Sequence, residues 1–324
     1  MNSTAFFEVT NLRKYYTAAG GIFSHRKRTI RAVDNVTFTV NRGETLGLVG
    51  ESGCGKSTIA KLLVCLTRPD SGQIAMEGKN IFAFDRKQML RFRRRVQIVF
   101  QDPLSSLNPR MTIERIISEP LSIHNIVPKN AVRDRVAELL SIVGLQPEAA
   151  RRYPHEFSSG QRQRICIARA LSLNPECIIA DEPVSALDVS IQAQTLNLLA
   201  ELQERFHLTY VFISHDLNII RHLCDRVAVM YAGKIVEVAP REDLYRQPLH
   251  PYTEALLSAV PIPDPLIKPQ RIILNGEVPD ASETGAGCVF AKRCPIVHRE
   301  LCEQYQPPLT EKRSGHWAAC FIKT

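Results

Sequence analysis

The chain has 324 residues, 44% hydrophobic and 23% charged, with a net charge of +8. That balance describes a globular protein of one large domain, or a domain with an appendage. It excludes a membrane-spanning chain, because no apolar run approaches the ~18–20 residues a spanning helix needs.

The opening, Met1 to Glu8, has neither the basic start nor the apolar core of a signal peptide. The expectation is a protein of the cytosol with no transmembrane segment of its own. Its nine cysteines are then thiols or metal ligands rather than disulfides. The positive charge gathers at Arg26, Lys27, Arg28 and Arg31, and at Arg91 and Arg93 to Arg95. Neither cluster is interleaved with aromatics that could stack on bases, so no nucleic-acid partner is expected. A solvated basic face is the first reading, attraction to an anionic membrane leaflet the second and nucleic acid the third.

In chain order, Phe6 to Val9 alternates weakly as a first strand. Val36 to Val40 alternates strictly, with turn residues Asn41 to Glu44 after it. Thr45 to Val49 reads as a short buried strand. Then come Gly50, Glu51, Ser52, Gly53, Cys54, Gly55, Lys56, Ser57 and Thr58, followed by a helix from Ile59 to Val64. Strand, glycine loop ending in Lys-Ser, helix is a phosphate-binding arrangement. Glycines let successive N–H groups face one anion, and the helix N-terminus adds positive potential. Lys56 is placed to reach β- and γ-phosphates, and the Ser57 hydroxyl to hold Mg²⁺.

Gln73 to Met76 and Val96 to Phe100 read as further strands. From about 102 to 173 the pattern turns helical: Val132, Val136, Leu139, Leu140 and Val143 share one face, and Gly144 is a stop. Within it, Ser158, Ser159 and Gly160 immediately precede a helix from Gln161 to Leu173 and form a second potential anion site. The apolar strand Cys177 to Ala180 opens onto Asp181 and Glu182, where α/β sheets place ligands. An aspartate there can hold Mg²⁺ and a neighbouring glutamate can orient an attacking water. A helix from Ile191 to Phe206, a strand from Tyr210 to Ile213 and a strand–turn–strand pair from Val227 to Glu237 follow. From Gln247 prolines recur, and four cysteines appear, which marks a boundary between 1–246 and a tail of 247–324.

Taken in order and spacing, these motifs resemble the nucleotide-binding subunit of an ABC transporter over about residues 6–240. Gly50 to Thr58 is similar to its Walker A loop and Gln101 to its Q-loop glutamine. Phe157 to Gln161 resembles the signature, with Ser159 where the family has Gly, a position expected to tolerate a small residue. Ile178 to Glu182 resembles Walker B with its catalytic glutamate. Ser185 to Asp188 matches the D-loop, His215 the switch histidine, and Tyr16, ahead of Tyr15, the adenine-stacking aromatic.

The resemblance implies an α/β fold: a P-loop NTPase with a RecA-like core sheet, an antiparallel β subdomain and a helical subdomain at about 102–173. It implies ATP and Mg²⁺, the metal at Ser57, Gln101 and Asp181. It also implies a head-to-tail dimer in which Ser158 and Gly160 reach a neighbour's ATP, while Glu182, His215 and Gln101 serve hydrolysis. A soluble ABC ATPase acting on nucleic acid would carry long coiled-coil insertions or two ATPase domains, and this chain shows neither. A P-loop kinase or GTPase would lack the signature and D-loop.

Leu249 to Thr253 and Ala255 to Leu257 resemble the C-terminal extension of oligopeptide/dipeptide importers. That implies two transmembrane permeases, a second ATPase subunit, an extracytoplasmic solute-binding protein and a seat on the cytoplasmic face of the membrane. The group imports peptides, with relatives handling nickel, glutathione or other small solutes; the dipeptide-type second ATPase is the expected match. Cys288, Cys294, Cys302 and Cys320 are spaced C-x5-C-x7-C-x17-C, without the close pair of a structural zinc site. A [4Fe–4S] cluster is the leading expectation, with zinc and unliganded thiols the alternatives.

Overall fold

The computed structural model describes residues 5–18, 28–260, 271–274, 276 and 286–323. The basic residues Arg26 and Lys27 and the prolines from Pro261 to Pro269 lie outside them. Strands are β1 Ala5–Ala18, β2 Arg28–Asn41, β3 Thr45–Val49, β4 Ser71–Met76, β5 Lys79–Asn80 and β6 Val96–Val99. The rest are β7 Cys177–Asp181, β8 Thr209–Ser214, β9 Arg226–Tyr231, β10 Lys234–Pro240, β11 Thr310–Arg313 and β12 His316–Ala318.

One sheet has the order β2-β1-β4-β5 and the other β11-β12-β10-β9-β3-β8-β7-β6. In the larger sheet β9, β3, β8, β7 and β6 run parallel. β3, β7 and β8 are buried at every residue, as strands covered on both faces must be, hence their unbroken apolar runs. Alternation then sorts their side chains. Leu46 and Leu48 pack with Ile59 and Leu62 on the side facing the antiparallel sheet, while Val49 packs on the opposite side.

The first two strands are longer than their alternation predicted. Each has 14 residues, and the β1–β2 ladder slips register repeatedly between Ala5 and Tyr16. Bulges carry the pairing past points where period-2 patterning fails. Asn11 and Asn35 take left-handed backbone there, at φ 48° and 57°.

The helical region holds Pro103–Ser106, Ile113–His124, Val132–Ile142 and Ser159–Leu171. Gly144 ends the third of these at φ 72°, its N–H donating to the Ser141 carbonyl at 3.0 Å.

Among the described residues, the tail contributes short elements joined by loops. Helix Pro251–Ser258 packs on the core, and β12 pairs antiparallel with β10, Val238 opposite Trp317. The tail therefore lengthens the core sheet by two strands.

Candidate active site

The loop from Gly50 to Thr58 connects the carboxyl end of β3 to helix Lys56–Leu63. Two glycines let it lie flat against its neighbours. A Cβ on Gly50 would come within 2.1 Å of the Met230 carbonyl oxygen, and one on Gly55 within 2.0 Å of the Ala32 carbonyl oxygen. The Gly233 N–H donates to the Cys54 carbonyl at 3.0 Å and holds the loop against the β9–β10 turn. Lys56 is buried, its Nζ donating to the carbonyls of Gly50 (2.8 Å) and Glu51 (3.0 Å). Ser52 and Gly53 are exposed, and Ser57 and Thr58 are half-buried.

Ser57 Oγ donates to Asp181 Oδ1 at 3.1 Å, joining the start of that helix to the end of β7. Burial pushes the Asp181 carboxyl up against the opposing hydrogen bond from Ser57, and the Glu182 carboxylate adds repulsion. A cation would relieve this desolvated acid. Ser57, Asp181 and Gln101 share one cleft of about 580 Å³. The set offers one carboxylate and two neutral oxygens, which fits a Mg²⁺ that completes its shell with phosphate oxygens and water.

Glu182 has left-handed backbone at φ 47°, with its N–H bonded to the Ile213 carbonyl at 3.0 Å. Strain of this kind in a non-glycine residue concentrates at functional positions. Its Oε2 accepts from Gln101 Nε2 at 3.1 Å and stands 3.3 Å from His215 Nδ1. Three of the residues singled out for hydrolysis thus meet around one carboxylate.

The other expected site residues stand apart from this group. Ser158 caps helix Ser159–Leu171 in a reciprocal box with Gln161. Both are exposed, Ser159 is half-buried, and Gly160 is closed over by Ile191, whose methyl would lie 2.3 Å from an added Cβ. Among the described residues this segment shares no hydrogen bond with the glycine loop. Asp188 precedes helix Val189–Phe206 with its side chain free of a capping bond, beside Val189, which is 82% exposed. Tyr16 is 40% exposed, with Lys14 Nζ 5.5 Å from its ring centre. Tyr15 is engaged elsewhere, its hydroxyl donating to Asp34 at 2.7 Å.

The iron–sulfur expectation is not supported by the geometry. No group of three or more His, Cys, Asp or Glu side chains among the described residues stands close enough to hold a metal ion. The four tail cysteines do line one cavity of about 20 Å³. The Cys320 sulfur accepts the N–H groups of Ile322 (3.4 Å) and Lys323 (3.5 Å), and Cys288 and Cys294 accept from Phe290 and Ile296. Burial pushes the Cys288 thiol up to about 11. The donors are correct in kind, but the sulfurs would have to rearrange around any ion.

Sequence reasoning missed a second set of contacts, where the tail meets the core. Glu237 is completely buried in β10 and accepts from the Leu249 N–H (2.7 Å), the His250 N–H (2.9 Å) and, at 2.7 Å, His316 Nε2. The one local signal was a carboxylate flanked by apolar residues from Ile235 to Ala239, which demands donors without naming them. Tyr252 Oη accepts the Glu51 N–H at 3.0 Å, and Arg293 clamps the Glu51 carboxylate at 2.9 and 3.3 Å. No helix among the described residues is long and apolar enough to cross a membrane.

The ABC transporter family matches residues 33–185, and the oligopeptide/dipeptide transporter C-terminal region matches residues 236–302. AppF of Bacillus subtilis, an oligopeptide transport ATP-binding protein, is 50% identical over 99% of this chain and 98% of its own. A Brucella ovis protein named for peptide import and ATP binding is 49% identical over 99% of this chain and 98% of its own. The solved ATP-binding cassette MJ0796, a dimer bound to ADP and Pi, superposes with a TM-score of 0.64 at 29% identity. It covers 72% of this chain and 98% of that one.

Proposed function

Because the chain belongs to the ABC transporter family, in the branch with the oligopeptide/dipeptide transporter C-terminal region, we propose that it is the ATP-hydrolysing subunit of a dipeptide or oligopeptide importer. One observation carries the reading. Ser57 with Asp181, and Glu182 with Gln101 and His215, meet at the carboxyl ends of neighbouring parallel strands, beside a loop built to cradle phosphate.

In this reading Lys56 and the loop from Gly50 to Thr58 hold the phosphates, and Tyr16 stacks on adenine. Ser57, Asp181 and Gln101 hold Mg²⁺, which as a Lewis acid screens the phosphate charge when bound. Glu182 orients a water and takes its proton as the water oxygen bonds to the γ-phosphorus. The bond from that phosphorus to the bridging oxygen breaks, leaving ADP and inorganic phosphate. His215, beside Glu182, helps to hold the water and contacts the γ-phosphate.

A second ATPase subunit, head to tail, receives Ser158, Ser159, Gly160, Gln161 and Asp188 against its own ATP. The exposure of Ser158, Gln161, Asp188 and Val189 supports this pairing, as does the dimeric state of MJ0796. Two transmembrane permeases and an extracytoplasmic solute-binding protein complete the complex. The subunit sits at the cytoplasmic face of the cell membrane, its 1–246 unit doing the hydrolysis and its 247–324 extension docked on it.

The test is phosphate release in the assembled complex. Glu182→Gln should keep ATP binding and lower turnover by about 10²–10⁴-fold, while Lys56→Ala should lose nucleotide binding. Normal turnover in the Glu182 variant would remove the role assigned to it.

For Cys288, Cys294, Cys302 and Cys320 a [4Fe–4S] cluster remains the reading to test. Their shared cavity and N–H bonds to sulfur support it, and their separations do not. Anaerobic purification with iron and zinc assays, and absorbance at ~400 nm, decides it. Metal-free protein with four titratable tail thiols ends it.

A further inference from the structure

The loop that cradles phosphate is held from behind by residues far along the chain. Arg293 lies 242 positions after Glu51, yet its Nη1 donates to Glu51 Oε2 at 2.9 Å and its Nη2 to Oε1 at 3.3 Å. A bidentate guanidinium–carboxylate pair fixes direction as well as distance. Arg293 Nη1 also reaches the Tyr231 hydroxyl at 3.3 Å, at the end of β9. The Glu51 N–H points the same way, into the Tyr252 hydroxyl at 3.0 Å. Tyr231, Tyr252 and Phe290 pack ring to ring at 4.5 to 5.5 Å, all three buried. Burial pushes both phenols up, so they stay neutral hydrogen-bonding groups.

Both polar groups of Glu51, side chain and main chain, are therefore committed to the tail side, while Lys56 draws on the Glu51 and Gly50 carbonyls from the other. The Glu51 N–H, its carboxylate and the Gly50 and Glu51 carbonyls thus all have partners, while Ser52 and Gly53 stay exposed. A loop fixed in this way binds phosphate without first losing conformational freedom, and that loss would otherwise weaken affinity.

We propose that Arg293 and Tyr252 are positioning residues for ATP: the tail braces the Glu51 turn, and the brace sets nucleotide affinity rather than the chemical step. The inference rests on the ATP-binding reading of the Gly50 to Thr58 loop. Both residues reach the loop through Glu51, and Arg293 is itself steadied by the Tyr231 hydroxyl.

The full-length chain is titrated with a fluorescent ATP analogue, and ATPase turnover is measured in the assembled complex. Arg293→Gln should raise Kd and KM for ATP about tenfold, a coupling of about 1.4 kcal/mol, with kcat at saturation nearly unchanged. Arg293→Lys, keeping the charge without the fork, should recover part of that affinity. Tyr252→Phe should give a smaller rise of the same kind. Arg293→Gln combined with Glu51→Gln should bind no more weakly than the weaker of the two single variants, because both remove one contact. Additive losses, an unchanged Kd in folded Arg293→Gln, or a fall in kcat at constant KM would each overturn the brace. Lys56→Ala runs beside them: if that variant still binds the analogue, the ATP-binding reading fails and not the brace.

Discussion

Glu182 and Glu237 are both strand-associated carboxylates facing a histidine, and the molecule treats them in opposite ways. Glu182 stands at the end of β7 in left-handed backbone, its side chain 15% exposed, 3.3 Å from a His215 that is 58% exposed. Glu237 lies inside β10 with no exposure, 2.7 Å from a His316 that is 2% exposed, and two main-chain N–H groups complete its shell. A carboxylate saturated with donors is a fastener, since water cannot reach it and any change orphans several partners. One left with open lone pairs at the mouth of a cleft can accept a new hydrogen bond from a substrate water. Glu237 holds the tail to the sheet, and Glu182 keeps room for a further hydrogen bond.

The largest effect that would sharpen this contrast is expected at the fastener. Glu237→Leu leaves three donors without an acceptor and should cost about 3 kcal/mol or more. Glu182→Leu should cost less than about 1 kcal/mol. Urea unfolding of the two variants measures both, and equal losses would break the contrast.

Next comes pH. Burial holds His250 neutral, pushing it down to about 3, with Lys323 adding repulsion. Its folded value lies below its unfolded value, so the unfolded chain takes up a proton first. Its contribution is complete above the ordinary histidine value of about 6.5 and is lost as pH falls toward 3, at up to about 1.4 kcal/mol per pH unit. His250→Asn keeps an acceptor for the Tyr252 N–H and removes the titrating ring. Thermal midpoints between about pH 6.5 and pH 4 should fall less steeply in that variant. An identical slope would show that the buried ring is not the acid-sensitive part of the clasp.

The smallest effect lies in the open ring of Arg42, Glu77, Arg95 and Glu176, where each arginine bonds both acids. Arg95, its main hydrogen-bond partner, holds Glu77 below the usual carboxylate range and does the same for Glu176. All four side chains are partly exposed, so water screens the pairing. Arg95→Gln should cost about 0.5–1 kcal/mol in low salt and almost nothing near 1 M salt. A loss that persisted in high salt would place this ring with the buried fastener instead.

What could be read in advance follows from distance along the chain. The loop, the Asp181–Glu182 pair, Gln101 and His215 each sit in a short segment whose strand-then-turn pattern announces a strand end, and strand ends in a parallel sheet converge. Nothing local announces that Arg293 meets Glu51, or that His316 meets Glu237, because those partners lie far apart in the chain and meet only where the tail packs on the core. The long β1–β2 pair escaped because its bulges interrupt the alternation that would reveal it. The cysteine spacing is informative in a different way: it counts residues between thiols and says nothing about how far apart their sulfurs come to rest.

The pairing of β12 with β10 also orders events during synthesis. Val236 to Val238 leave the ribosome long before Trp317 does, so the middle of the sheet waits with an open edge and a carboxylate lacking its imidazole. A chain interrupted before residue 316 would keep a complete glycine loop and an incomplete sheet. Proteases that sample exposed edges would then meet the abandoned product as a visibly unfinished one.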